Sequence, residues 1–523
     1  MGATTDIDDN DLNWVQNLAN KTGSPEAAIR LFLTVCAGYP VALIYRGFIR
    51  SIPIFNVHHL FFALTGSGLC YFNYGVDTYH SLVAICTSYI LMHLFYKSST
   101  YLIATNFTFH MGYLLTGYYF TESNDYDILW TMPHCVLVLR MIGFAFDVAD
   151  GQKPHDKLSK DQRECALREL PTLLELLAFS YFPASFLVGP QFPFRRYRRF
   201  INGEFMQYKG SVQEGMKRLS LGLIYLGIRQ VGTMMLPDDY FLTDAYANQR
   251  FLRKIFYMGL WGKFSLYKYI SCWLMSEGAL MCLGFTYNGN TLDGKPDWYG
   301  CSNVKLMHLE TGTCMQHYVQ SFNVNTNLWV AQYIYKRLKF LNNRTISYGG
   351  ALGFLAVWHG FHSGYYMSFL LEYIVVTAEK QVEEVYIKSV VPHMGTVVES
   401  SWYSYLKLIT LKFYNIVFMG FCLTPFIFLS YERWIQVFHF VDYYGFIWLS
   451  GWLIFYFFYK YLHTDDAKKS GHSVRKGEVF SKATDLSPTV GAALYDKNST
   501  AVDANFSQAT DLSPTFQSNK KNN

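Results

Sequence analysis

Charge is what this sequence has least of. Asp, Glu, Lys and Arg supply 16% of its 523 residues, against about a quarter in soluble globular domains, so a large water-soluble core does not account for the 51% apolar content. The formal net charge is only +5 and the basic residues form no long run, which removes the electrostatic footprint of a nucleic-acid binder. The ten cysteines are scattered, with no CxxC and no zinc-type pairing with histidine. That argues against a structural zinc site and a disulfide scaffold, and no metal is expected. Cys301 and Cys314 are candidates to pair if their loop is lumenal; two free thiols are the alternative. The opening MGATTDIDDNDLNW lacks a basic n-region and a short apolar core, so no cleavable leader is expected and the first apolar span should drive insertion.

What the sequence does have is aromatic side chains, 18% of the total with 41 Tyr, 43 Phe and 11 Trp, as suits a chain that crosses many interfaces where such rings settle. A bilayer crossing takes about 20 largely apolar residues. Runs of that kind fall near 29–46, 55–75, 80–96, 101–120, 127–148, 173–190, 217–236, 252–286, 348–377, 405–430 and 443–462, so about eleven transmembrane helices are expected in an all-α polytopic protein. The expected division is an N-terminal arm over 1–28, lumenal; a membrane domain over 29–462; and a disordered cytosolic tail over 463–523. The tail is polar and repeats itself, SKATDLSPT at 481–489 and SQATDLSPT at 507–515. It ends Lys520-Lys521-Asn522-Asn523, a dilysine pattern by which coat proteins return membrane proteins to the endoplasmic reticulum.

Between the spans, the charged stretch 149–171 and the run Arg195-Arg196-Tyr197-Arg198-Arg199 read as cytosolic. The segment 328–342, LWVAQYIYKRLKFLN, reads as a helix at the membrane interface, with Lys336, Arg337 and Lys339 reaching toward headgroups. Sequons stand at Asn20, Asn106, Asn343, Asn498 and Asn505, of use only if lumenal.

A polar group inside an apolar span is costly, so each is a functional hypothesis. The sharpest is His359 in LGFLAVWHGFHSGYY, preceded by Trp358 and followed by glycines at 360 and 364. A neutral imidazole can take a proton from a hydroxyl if its other nitrogen is held by a partner. His362, three residues on, should share its helical face. The in-span His93, His110 and His134 are read as structural and hydrogen-bonded. In SFNVNTNLWVAQY, Asn323, Asn325 and Asn327 crowd a helix start. Any of them can cap it, or donate to a carbonyl or accept from a hydroxyl beside His359.

Asn323 followed by His359, in the settings FNVNTN and VWHGFHSGY, resembles the Asn/His pair of the membrane-bound O-acyltransferase family. The likeness extends through LRMIGFAFDVADG at 139–151, FLVGPQFPFRRY at 186–197, SEGALMCLGF at 276–285 and VAQYIYKRLKFL at 330–341, most like the branch that acylates lysophospholipids. The resemblance implies transfer of an acyl group from acyl-CoA to the free glycerol hydroxyl, sn-2, of lysophosphatidylcholine, lysophosphatidylethanolamine or lysophosphatidylserine in phospholipid remodelling. It makes His359 the general base, Asn323 the residue that polarises the reacting groups, and acyl-CoA a co-substrate with no cofactor beside it. Family spacing selects Asn323 over Asn325 and Asn327. The remaining candidates for substrate contact are His362, Trp358, Asn327, and Arg195, Arg196, Lys336 and Arg337, which could meet CoA phosphates. A homodimer is left open. The competing readings are a sterol, diacylglycerol or protein acceptor, a transporter, and a scaffold without catalysis. A transporter predicts repeated halves, and none is seen; the His-x-x-x-x-Asp motif of the other lipid acyltransferases is absent.

Overall fold

The computed structural model describes residues 14–121, 123 and 128–469. The repeats, the dilysine ending and the sequons at Asn498 and Asn505 lie outside the described residues. Among those described the backbone is helical, and its β-type pairings are two isolated bridges, Asn290 with Pro296 and Val304 with Phe322. Helix is what a bilayer imposes, because every backbone N–H and C=O must find its partner within the segment.

The N-terminal arm contains a helix, α1 (Trp14–Thr22), which packs on α2 (Glu26–Ile44). Short links then join α3 (Phe55–Tyr74), α4 (Thr78–Phe95), α5 (Ser99–Thr121) and α6 (Thr131–Gly151). Three short helices come after them: α7 (Lys160–Cys165), α8 (Leu173–Ser180) and α9 (Phe194–Ile201). The first two start at capping boxes, Ser159 with Gln162 and Thr172 with Glu175, which satisfy their free N–H groups. Next come α10 (Ser211–Met235), α11 (Asp244–Ala247) and α12 (Phe251–Leu283), the longest at 33 residues. The short α13 (Leu306–Thr311), α14 (Met315–Ser321) and α15 (Val324–Val330) lead into α16 (Arg344–His359) and α17 (Ser363–Val385). The chain closes with α18 (Val391–Met394), α19 (Ser401–Phe428), α20 (Tyr431–Phe440) and α21 (Tyr444–Lys469).

Five helical segments among the described residues are long and apolar enough to cross a membrane: Glu26–Ile49, Phe55–Phe95, Thr131–Gly151, Ser211–Leu242 and Ser401–Phe428. Three sequence expectations need correction. The run 173–190 is not a crossing: α8 has eight residues, about 12 Å of helix. Pro183 and Pro190 keep the helix from continuing, because proline donates no backbone hydrogen bond, and the buried rings of Tyr181, Phe182 and Phe186 fold the chain inward. The run 348–377 is two helices, not one. The segment 328–342 does not lie along the surface with its cations reaching outward: Trp329, Val330, Ala331, Tyr333 and Tyr335 are buried, and exposure is confined to Leu328 at its start and residues 339–342 at its end.

Glycine seams hold the centre together. On α10, Gly215, Gly222 and Gly232 face Cys282, Met275 and Phe264 of α12, and a Cβ at any of them would lie 2.6 Å or less from its neighbour. Where α12 crosses α19, Gly259 and Gly262 meet Gly420 with the same lack of room. Small residues let backbones approach where lipid offers no hydrophobic drive to association.

One end of the molecule gathers the segments read as cytosolic. Arg195 donates to the Arg163 carbonyl, Arg198 pairs with Glu175 at 3.3 Å, and Arg196 donates to the carbonyls of Phe285 and Tyr287. The loop after α12, which carries Cys301, therefore shares that end; Cys301 and Cys314, the latter just ahead of α14, are both free. Burial raises the Cys301 thiol above its usual range and pushes Cys314 up to about 11, so both stay protonated. Of the described sequons, Asn106 is wholly buried in α5, and Asn343 caps α16 by accepting from the Ile346 N–H at 3.1 Å.

Candidate functional site

Residues 324–359 fold as a hairpin. Its first arm is α15, a π-helical turn over Ala331–Tyr335 and a tighter turn over Lys336–Leu341; its second is α16 running back. Two contacts fix the register: Ser347 Oγ donates to the Leu338 carbonyl at 3.1 Å, and Trp329 stacks on Phe354 with centroids 5.6 Å apart. Asn323 stands just before α15, at the open end of the first arm, and His359 is the last residue of α16, at the open end of the second. The spacing in sequence between the two is the length of this hairpin.

His359 is half-buried. Its ring lies among Trp358, Tyr365, Phe369 and Phe426, with centroids 4.7–5.5 Å away. Among the described residues no hydrogen-bond partner lies against either ring nitrogen, so packing orients the ring where a hydrogen bond was expected. The helix stops here because Gly360 has φ +122 and ψ −162, a region essentially only glycine enters. His362 consequently lies beyond the break, in extended backbone ahead of α17. It does not share a helical face with His359, a correction to the spacing argument, which assumed one helix. Trp358 is tied to neighbouring helices instead: its indole N–H donates to the Cys135 carbonyl at 3.0 Å, and its carbonyl accepts from the Tyr118 hydroxyl at 3.2 Å.

The three asparagines part company. Asn325 donates its amide to the carbonyls of Cys301 and Ser302 and to Asn303 Oδ1 at 3.0–3.2 Å. Asn327 donates to the carbonyls of Val319 and Phe322 at 2.8 and 3.0 Å. Both amides serve the fold. Asn323 sits in the left-handed region, φ 51 and ψ 43; its Oδ1 accepts from Asn303 Nδ2 at 3.2 Å, and among the described residues nothing accepts from its own Nδ2.

A cavity of about 310 Å³ is lined by Arg229, Lys268, Arg433, Asp238, Asp239 and residues 426–428 among others. Phe426, in its wall, touches His359; Tyr269, also in its wall, touches Phe322 beside Asn323, with centroids 6.3 Å apart. The sequence reading missed these charged side chains. Arg229 in α10 and Lys268 in α12 carried the signal that could have found them, ionisable groups within span-length helices.

The four cations proposed for CoA have protein partners. Lys336 pairs directly with Asp161 and Arg337 with Asp150, and Arg337 also lies over the Phe146 ring. Arg196 sits between the rings of Phe205 and Phe285; Arg195 alone of the four is exposed. His93 donates to the Tyr89 carbonyl, as a structural histidine should. His110 and His134 are buried with both nitrogens unpartnered among the described residues, so they are packed and not hydrogen-bonded. No cluster of metal-ligating side chains occurs among the described residues.

Residues 115–430 match the family described as MBOAT, membrane-bound O-acyltransferase family. A Drosophila melanogaster protein named lysophospholipid acyltransferase 5 is 60% identical over 456 residues, covering 87% of this chain and 92% of that one. Its Homo sapiens namesake is 40% identical over 462 residues, 86% and 92% of the two chains. The Caenorhabditis elegans namesake is 36% identical over 369 residues, 70% and 78%.

Proposed function

The chain belongs to the membrane-bound O-acyltransferase family, and from that premise we propose that His359 and Asn323 carry out acyl transfer from acyl-CoA to the sn-2 hydroxyl of a lysophospholipid. At the coarser level it is a multi-pass membrane acyltransferase acting on lysophospholipids. The finer reading is supported by the hairpin, whose two arms end at Asn323 and His359, and by the ring contacts that link His359, and Phe322 next to Asn323, to the walls of one cavity.

The chemistry needs little more. The thioester is already activated, so the protein must bring hydroxyl and carbonyl carbon together and remove one proton. Holding both in one cavity makes the encounter effectively unimolecular. A neutral His359 nitrogen takes the hydroxyl proton as the oxygen attacks the carbonyl carbon, and a base so placed contributes typically ~10²–10⁴-fold. The carbonyl oxygen becomes an oxyanion, which the Asn323 amide steadies. The C–S bond then breaks, and the CoA thiolate regains the proton from His359. No acyl-enzyme is formed.

The cavity's mixture of Arg229, Lys268 and Arg433 with Asp238 and Asp239 suits a headgroup that joins a phosphodiester to an amine, so we place the lysophospholipid headgroup there. Exposed Arg195 is our candidate to meet CoA phosphates from the opposite, cytosolic end. The dilysine ending supports residence in the endoplasmic reticulum membrane, recognition by coat proteins and a cytosolic C-terminus.

The test is acyl transfer by microsomes expressing the full chain, with labelled oleoyl-CoA and arachidonoyl-CoA offered to a panel of lysophospholipids, diacylglycerol and cholesterol. Transfer to lysophospholipids should disappear in His359→Ala while expression and thermal stability in detergent are kept. Activity retained in that folded variant would remove His359 as the base, and transfer only to diacylglycerol or cholesterol would replace the acceptor.

A further inference from the structure

An asparagine amide can present either its oxygen or its NH₂ to a substrate, and the two do opposite things to a thioester carbonyl. The surroundings of Asn323 decide which. The decision starts at a backbone N–H, which can only donate. The N–H of Asn325 points at a side-chain atom of Asn303 at 3.0 Å, so that atom is the oxygen, Oδ1. The other terminal atom of Asn303 is then Nδ2, a donor, and it lies 3.2 Å from Asn323. The Asn323 atom facing it must accept, so it is Oδ1. Nδ2 of Asn323 is left on the far side, without an acceptor among the described residues.

Asn303 is itself held firmly. It is buried, its N–H donates to Glu277 Oε1 at 2.6 Å, and its carbonyl accepts from the Val324 N–H at 3.0 Å. Glu277 also receives the Val304 N–H at 3.2 Å, and its second oxygen is paired with buried Arg218 at 2.7 Å. A chain of contacts thus runs from an ion pair between α10 and α12 to the amide of Asn323.

We propose that Asn303 is a positioning residue for acyl transfer: it fixes the Asn323 amide so that Nδ2–H₂, and not Oδ1, faces the reacting thioester. Asn323 is thereby a donor to the developing oxyanion and not an acceptor from the hydroxyl. This rests on the assignment of Asn323 given above.

Four variants of the full-length enzyme in detergent test it: Asn303→Asp, Asn303→Ala, Asn323→Ala and the double variant Asn303→Asp/Asn323→Ala, with kcat, KM for both substrates and Tm measured. In Asn303→Asp the new carboxylate still accepts from the Asn325 N–H but cannot donate to Asn323, whose amide then rotates to donate and turns its oxygen toward the substrate. We expect kcat to fall on the order of 10²-fold in Asn323→Ala, as for loss of one oxyanion donor. It should fall nearly as far in Asn303→Asp and clearly less in Asn303→Ala, where the amide is free to choose, with KM for acyl-CoA unchanged. In the Asn323→Ala background Asn303→Asp should cost nothing further.

A merely structural role predicts the reverse, the better-fitting Asp doing less harm than Ala and any loss persisting without Asn323. Either result overturns the proposal and leaves the role of Asn323 standing. Wild-type kcat in Asn323→Ala would overturn the role of Asn323 and the proposal with it. Should Asn303→Asp fail to fold, Asn323→Asp decides. It keeps an oxygen for Asn303 and shows only oxygen to the substrate, so kcat should drop as far as in Asn323→Ala; retained kcat would overturn the proposal.

Discussion

At the scale of single residues, the three asparagines ahead of α15 show how identical side chains take different work. Asn327 gives both amide protons to backbone carbonyls. Each such bond contributes about 1 kcal/mol, so Asn327→Ala should lower Tm in a detergent melt while leaving kcat per folded molecule intact. Sequence alone held the three candidates but could not rank them, because Asn323 and Asn325 find their partners in the loop after α12, whereas Asn327 finds its own just upstream at Val319 and Phe322. Only the family spacing to His359 picked Asn323, and its unpartnered Nδ2 gives that choice a physical reason. His359 was legible because a lone imidazole in an apolar run is costly. His362 was misread, since a 3.6-residue period says nothing about where a helix stops.

At the scale of elements, the break between α16 and α17 is what His359 stands on. Gly360→Ala would force a side chain into a conformation that costs about 1–3 kcal/mol, and the nearest relief is to shift the preceding residue. It should reduce kcat with the protein still folded. Gly364→Ala acts differently: a Cβ there would lie 2.0 Å from the Pro425 carbonyl oxygen, pushing α17 off α19, and should instead lower the yield of folded protein by size-exclusion chromatography. Most of the apolar runs fold as long helices, while the short helices carry no such signal. Two runs were misread: the prolines after α8 and the glycine after α16 interrupt stretches whose composition alone resembles a crossing. The hairpin's first arm was misplaced for a related reason, because Lys336 and Arg337 look solvated until Asp161 and Asp150 are brought to them.

At the scale of the molecule, the cavity could not be read from any one segment, since α10, α12, α19 and α20 each supply part of its wall. If Lys268 meets the acceptor's phosphate, Lys268→Ala should raise KM for lysophospholipid about tenfold, near 1.4 kcal/mol, with KM for acyl-CoA and kcat little changed. An equal rise in both KM values would place the headgroup elsewhere. The broad class of the protein was legible from low charge and abundant rings, which report the solvent and not the site.

The hairpin has a consequence for how such a protein diversifies. On the proposed roles, base and donor ride on one contiguous stretch of chain, a cassette braced from outside by Asn303, whereas the cavity walls assigned to the acceptor come from α10, α12, α19 and α20. Chemistry and selectivity are then separable, and grafting the wall residues of one relative onto the cassette of another should trade acceptors without rebuilding the reaction.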